Sequence, residues 1–298
     1  MTQECSEMEA RARACFLGFA IGDALGATVE FMTQREIAAA YGVHKNIVGG
    51  GWLKLKPGAV TDDTQMSLAV ARSLIKMNGF DAQDVARGFV DWLRSGPLDV
   101  GNTCRRGIRR FMTHGTLEGP PSEGDGGNGA VMRVTPVALA TLRRPESAAD
   151  WALAQGRITH HQHRSDAACI WFTRLLQQSL SASEKPPLKH LAEQWVTQDP
   201  AFRFESYAGP ATGYVVDTMR TVFSGFFETE SFEDCLIKVV NRGDDADTTG
   251  ALAGALAGAY YGLEAIPKRW LKALAPDVRD EIVEITPKLL ALGASVAG

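Results

Sequence analysis

The sequence lacks the features that mark secreted, nucleic-acid-binding and membrane-spanning proteins. Its five cysteines, Cys5, Cys15, Cys104, Cys169 and Cys235, are odd in number, widely spaced and form no C-x-x-C pair. That pattern fits reduced, mostly buried thiols in a cytosol better than a disulfide framework. There is no basic excess: 31 Lys and Arg stand against 35 Asp and Glu, for a net charge of −4. A nucleic-acid partner, which calls for a clustered basic face, is therefore not expected. The densest basic run, Arg105, Arg106, Arg109 and Arg110, has helical spacing and reads as a solvated face. The first residues lack the charged start and apolar stretch of a secretory leader. The longest apolar run, residues 250–263, ends at Glu264. It is shorter than the ~20 residues a membrane span needs, so a buried helix is expected there.

Alternating Val/Ile/Thr runs with hairpin turns are also nearly absent. Instead, apolar residues recur at three and four through residues 66–75, 85–93, 170–180 and 236–240. With Ala, Leu, Arg, Gln and Glu dominating, this predicts an all-α fold. Residues 46–52 read as loop with at most a short extended piece. The chain is 298 residues long and 45% hydrophobic, enough for a large core. Gly18, Gly22 and Gly26 recur every four residues, and so do Gly250, Gly254, Gly258 and Gly262. Such glycines share one helix face, and each costs about 1 kcal/mol of helix propensity relative to Ala. A repeated cost suggests close backbone approach, so these two helices are expected side by side at the centre.

Two carboxylate clusters carry the chemistry. Thr61-Asp62-Asp63-Thr64 opens the apolar stripe that begins at Met66. Alone, it reads as a Thr61 cap with acids favouring the positive end of a helix dipole. Asp244-Asp245-Ala246-Asp247-Thr248 opens the Gly/Ala-rich helix, which has almost no polar face. Its start is therefore expected to be buried, and several buried carboxylates cannot stay ionised together without a counter-charge. A hard divalent cation supplies one, and an oxygen-only ligand set suits Mg²⁺ or Mn²⁺. With four or five carboxylates, two ions are plausible. If the clusters share a site, neither the 119–129 stretch nor the 181–187 stretch is a domain linker, and residues 1–298 form one domain. Glu30 ends the first glycine-striped helix. It reads as a surface residue by itself, or as part of the site if the two striped helices pack. The glycine-rich Gly124-Asp125-Gly126-Gly127-Asn128-Gly129 run reads equally as a phosphate cradle or a flexible loop.

Five motifs, Gly22-Asp23-Ala24-Leu25-Gly26, Thr61-Asp62-Asp63-Thr64, Gly127-Asn128-Gly129-Ala130-Val131-Met132-Arg133, Gly213-Tyr214-Val215-Val216-Asp217-Thr218 and Gly243-Asp244-Asp245-Ala246-Asp247-Thr248, occur here in one order. In that order they resemble the ADP-ribosylglycohydrolase family over nearly the whole chain. Residues 20–31 look like the branch of the family found in nitrogen-fixing bacteria, whereas many wider relatives carry Pro near Thr28.

The resemblance implies a compact, single-domain orthogonal helical bundle with a dinuclear centre, Mn²⁺ first and Mg²⁺ or Fe²⁺ as alternatives. By motif position it implies Thr61, Asp62, Asp63, Asp245, Asp247 and Thr248 as metal ligands, with Asp244 pointing away. It also implies a catalytic role for Asp99, and for Glu30 a place in the catalytic machinery as a ligand or just behind the ligands. Asn102, Gly126, Gly127, Asn128, Gly129, His160 and Tyr214 would bind substrate, with Tyr214 stacking on adenine. His161 and His163 read as surface or structural. The implied activity is removal of ADP-ribose from an arginine side chain of a modified protein, the nitrogenase iron protein. A PII-type signalling protein would be the regulator. The enzyme would be cytoplasmic, with recruitment to a membrane only through an ammonium transporter. The rival expectations are a dinuclear phosphoesterase acting on nucleotides and a non-catalytic ADP-ribose reader. The latter should lack some metal carboxylates, and this chain keeps them all.

Overall fold

A computed structural model describes residues 3–292, and among them the fold is all-α. The first helices are α1 (Gln3–Gly26), α2 (Gln34–Tyr41), α3 (Asp62–Lys76), α4 (Ala82–Arg94) and α5 (Asn102–His114). Then come α6 (Thr135–Ala140), α7 (Pro145–Arg157), α8 (His163–Ser179), α9 (Pro186–Gln198) and α10 (Val215–Phe227). The last are α11 (Phe232–Val240), α12 (Ala246–Tyr261), α13 (Lys268–Ala273) and α14 (Pro276–Ala291). The four apolar-periodic segments lie in α3, α4, α8 and α11, with Leu180 just past the end of α8. Residues 181–187 are a short connection into α9 rather than a linker between cores. None of the described helices is long and apolar enough to cross a membrane. Cys15, Cys104, Cys169 and Cys235 are free and buried, and the side chain of Cys5 lies outside the described residues.

The centre of the fold is the α1–α12 pair. A Cβ added at Gly250 would come 2.6 Å from the Gly22 carbonyl oxygen, and one at Gly18, Gly22, Gly26 or Gly254 would come closer still to the facing backbone. Gly18 faces Gly254, Gly22 faces Gly250 and Gly26 faces Ala246, so the helices run antiparallel. The glycine cost is thus exchanged for backbone contact along the pair. Gly262 does not belong to the stripe. It ends α12 at φ 80°, a turn conformation that favours glycine.

The pairing decides where the chemistry goes. Because the helices are antiparallel, the C-terminal end of α1 lies against the N-terminal end of α12. Glu30, just past α1, is brought to Asp245, Asp247 and Thr248. The glycine packing of α1 on α12 thus closes a long separation in sequence.

Candidate metal centre

The third element joins through Asp23, a fully buried carboxylate on α1. Asp23 accepts hydrogen bonds from the Thr61 amide (3.0 Å) and hydroxyl (2.9 Å), and from the Thr64 amide (3.1 Å) and hydroxyl (2.5 Å). These four bonds hold the start of α3 against α1. They also correct the local reading of Thr61, which occupies the cap position of α3 but makes no capping bond, because the Thr64 amide that a cap would serve donates to Asp23 instead.

A backbone latch fixes the other side. The Phe31 amide donates to the Asp244 carbonyl (2.6 Å), and the Asp244 amide donates to the Met32 carbonyl (3.0 Å). Both Phe31 (φ 61°) and Asp244 (φ 51°) adopt the left-handed conformation that non-glycine residues rarely take. The Asp244 carboxylate accepts from the Ala211 amide at 3.0 Å. Asp244 therefore points away from the cavity and serves the latch.

What these supports enclose is a cavity of about 220 Å³ lined by six carboxylates: Glu30, Asp62, Asp63, Asp99, Asp245 and Asp247. One carboxylate oxygen from each of Glu30, Asp245 and Asp247 lies within 4.8 Å of the others, and the same holds for Asp62, Asp99 and Asp247. Asp247 is common to both triads. Asp99, on the loop before α5, thus stands among the acids rather than across the cavity from them. The Thr248 hydroxyl lines the cavity and donates to Asp63 at 3.2 Å. Thr61 does not line it.

The electrostatics are those of an uncompensated anionic site. Burial, then the charges of Asp99, Asp23 and Asp245, push Asp62 up to about 8. Burial pushes Glu30 up to about 8, against a bond from the Trp52 indole N–H at 2.6 Å. Burial and neighbouring acids push Asp63 and Asp247 well above the carboxylate range. Burial also raises Asp99, and takes Asp245 to about 6 although Asn128 donates to it. Among the described residues none of the six forms an ion pair. Asp63 Oδ1 is buried with no partner at all. An orphaned carboxylate oxygen facing five other acids fits a bound cation, and oxygen donors without His or Cys fit a hard one.

The rest of the lining includes polar, uncharged groups from Asn102, Gly127, Asn128, Gly129 and His160, of which Asn128 donates to Asp245. The Asn128 amide donates to Gly213 O (3.0 Å), which leaves the amides of Gly127 and Gly129 without an acceptor among the described residues. Asp125 does not threaten an anion there. Arg106 pairs with one of its oxygens and the His161 amide with the other (3.3 Å), so the carboxylate is neutralised behind the loop. The basic run on α5 is thus mostly exposed as expected, yet Arg106 has this structural task. Gly126 and Tyr214 lie next to the cavity, not in its wall. The Tyr214 ring covers Gly126, and its hydroxyl accepts from Arg164 at 2.8 Å. His161 meets the Gly119 carbonyl (2.6 Å), and His163 is exposed.

Two residues of the site escaped sequence reasoning. Asp23 was legible only as an acid inside an apolar helix, a signal that could have been weighed. Trp52, in a segment read as loop, reaches Glu30 through a contact that no local pattern announces.

Comparison with known proteins finds relatives over nearly the whole chain. A model of the ADP-ribosylglycohydrolase family matches residues 4–296. The chain is 53% identical to the ADP-ribosyl-[dinitrogen reductase] glycohydrolase of Rhodospirillum rubrum, over 95% of this chain and 96% of that protein. It is 30% identical to the ADP-ribosylarginine hydrolase Tri1 of Pseudomonas putida (strain GB-1), over 97% and 82%. A solved structure described as an ADP-ribosylglycohydrolase-related protein complex superposes with a TM-score of 0.85 at 34% identity, covering 97% of this chain and 99% of the other.

Proposed function

The chain belongs to the ADP-ribosylglycohydrolase family, and from that premise we propose that it hydrolyses the N-glycosidic bond joining ADP-ribose to an arginine side chain of the nitrogenase iron protein, thereby reactivating it. The observation that carries this reading is the six-carboxylate cavity with no protein cation in its lining, which also takes in a glycine-rich loop with free amides. An acid-lined pocket alone would repel a diphosphate. Here the loop and the acids sort the substrate: phosphates to the Gly127 and Gly129 amides, ribose hydroxyls toward the acids, arginine out through the mouth.

Asp62, Asp63, Asp245, Asp247 and Thr248 would hold two divalent ions, Mn²⁺ first, with Glu30 on the side of Asp245 and Thr61, whose hydroxyl lies 3.3 Å from Asp63, as the further ligand the resemblance implies. When bound, such ions supply the positive charge the acids demand and orient the sugar hydroxyls. The remaining work falls to side chains. The bond to break joins the ribose anomeric carbon to a guanidinium nitrogen, and the bond to form joins that carbon to a water oxygen. Asp99 is half-buried and raised, so it can take the proton from the attacking water and pass it to the departing nitrogen: the protonated substrate releases neutral guanidine, and that proton converts it to guanidinium. A well-placed general acid or base of this kind is worth roughly 10²–10⁴-fold. Asn102 follows Asp99 at the first turn of α5 and is positioned for the ribose. Tyr214, 38% exposed beside the loop, offers a face to adenine.

The test is incubation of ADP-ribosylated nitrogenase iron protein with the enzyme, with and without Mn²⁺. Free ADP-ribose and intact arginine are expected only with the metal. Released phosphate instead would point to a phosphoesterase. The resemblance further supports a PII-type regulator and membrane recruitment through an ammonium transporter. A pulldown from ammonium-shifted cells that returns no PII-type protein overturns that route.

A further inference from the structure

His160 is 2% exposed, yet its Nε2 has no partner among the described residues and opens on the cavity. We propose that Arg133 and Thr159 are positioning residues that lock the His160 imidazole in its Nε2–H tautomer, making it a hydrogen-bond donor to a substrate oxygen. That the oxygen belongs to ADP-ribose rests on the function proposed above; the tautomer does not.

Counting donors and acceptors fixes the proton. Arg133 is fully buried and lies over the Phe89 ring at 4.7 Å. Its Nε donates to Gln155 Oε1 (2.7 Å), and its Nη1 donates to the Gly129 carbonyl. Its Nη2 donates to the Thr159 hydroxyl oxygen at 2.7 Å. The Thr159 hydroxyl proton then has two candidate acceptors: His160 Nδ1 at 2.8 Å and the Gly156 carbonyl at 3.4 Å. That carbonyl already accepts from the Thr159 amide (3.0 Å) and the His160 amide (2.9 Å), while the second Nη2 proton of Arg133 goes to the Gln155 carbonyl (2.9 Å). A carbonyl offers two lone pairs, so it is saturated. The hydroxyl proton goes to His160 Nδ1. A guanidinium donating to a hydroxyl also makes that hydroxyl a stronger donor. With Nδ1 accepting, the ring proton sits on Nε2.

Arg133 reaches the substrate wall twice. Through Thr159 it orients His160, and through Gly129 O it holds the loop against the ring. A Cβ at Gly129 would stand 2.8 Å from His160 Cε1, so loop and imidazole are packed as one surface. Burial, then Arg133 and Arg106, hold the imidazole neutral. A neutral ring with Nδ1 occupied and Nε2 protonated has no lone pair for the cavity. His160 is thereby excluded both as a metal ligand and as the general base, which leaves the proton transfer to a carboxylate.

The test uses Mg²⁺-loaded, histidine-¹⁵N-labelled full chain. NMR of His160 should show the proton on Nε2 and an unprotonated Nδ1. Thr159→Val, which keeps volume and removes the hydroxyl, should shift the tautomer and raise KM for ADP-ribosylarginine about tenfold with kcat nearly unchanged. Thr159→Ser should restore both. A wild-type Nδ1–H or imidazolium overturns the proposal, whether or not the valine variant folds. So does a Thr159→Val protein that keeps Nε2–H, and a shifted tautomer with unchanged KM overturns the donor role. Because the spectrum needs no substrate, absence of ADP-ribosylarginine cleavage counts against the proposed function alone.

Discussion

Among the described residues, five α-helix starts carry Thr, Ser or Asp at the cap position, and they divide into two kinds. At α2, α4 and α11 the side chain does what a cap does. Thr33 accepts from the Glu36 amide (3.3 Å), Asp81 from the Asp84 amide (2.8 Å) and Ser231 from the Asp234 amide (3.0 Å). At α3 and α12 neither Thr61 nor Asp245 makes a capping bond. Their acids face each other across a cavity instead. The same residue types, with acids in the same first turn, thus either complete a helix locally or give up that bond to build a site. What separates them is burial without a cation: the acids at the α3 and α12 starts are enclosed and form no ion pair among the described residues, whereas Glu36 and Glu233 are in reach of solvent and the buried Asp84 of α4 pairs with Lys76 at 2.6 Å. Local satisfaction and shared function compete for the same oxygens, and the enclosed helix starts show which won.

The largest effect should come from cutting one member of the enclosed pair. Asp62→Ala is expected to lose bound Mn²⁺ and to lower turnover by about 10³-fold or more, the several kcal/mol that metal clamping supplies. Metal content by atomic emission and ADP-ribosylarginine cleavage check both together; activity lost with metal retained would break the parallel between the two starts. Asp99→Asn should lower kcat by roughly 10²–10⁴-fold while leaving the metal in place. Metal loss in that variant would instead put Asp99 in the ligand set. The packing that brings the starts together is next. Gly254→Leu forces a side chain into the Gly18 backbone and should cost about 4 kcal/mol or more, read by urea unfolding. An unchanged melting temperature would sink the account of the glycine stripes. Smallest is the ordinary cap: Ser231→Ala should cost about 1 kcal/mol of stability with activity and metal content unchanged.

The two kinds of helix start were not distinguishable in the chain taken piece by piece, and the reason is physical. Periodicity of Gly18, Gly22 and Gly26 against Gly250, Gly254 and Gly258 made the central pair legible, because close approach demands small residues at helical spacing. The bare apolar face of α12 made the burial of Asp245 and Asp247 legible. The family resemblance then pointed to the acids that line one cavity, Asp99 among them. Taken alone, Thr61 reads as a cap because propensity knows only its own helix, whereas Asp23 on another helix takes the Thr64 amide that a cap would serve. The latch at Phe31 and Asp244 rests on two left-handed residues that composition does not announce. Trp52 meets Glu30, and Arg106 neutralises Asp125, through contacts set by the folded chain and by nothing local. Support for the site, more than the site, was hidden.

The central claim is that the starts of α3 and α12 form one cation site that the protein leaves without a counter-charge. Calorimetric titration of metal-free enzyme with Mn²⁺ near pH 7, repeated in buffers of different ionisation enthalpy, tests it directly. Asp62 and Glu30 sit near 8 without metal, so binding should expel protons. The account predicts two ions per chain with net proton release, and Asp247→Asn, which cuts the acid shared by both triads, should abolish it. Full turnover in chelator-treated enzyme with no Mn²⁺ uptake would contradict the account.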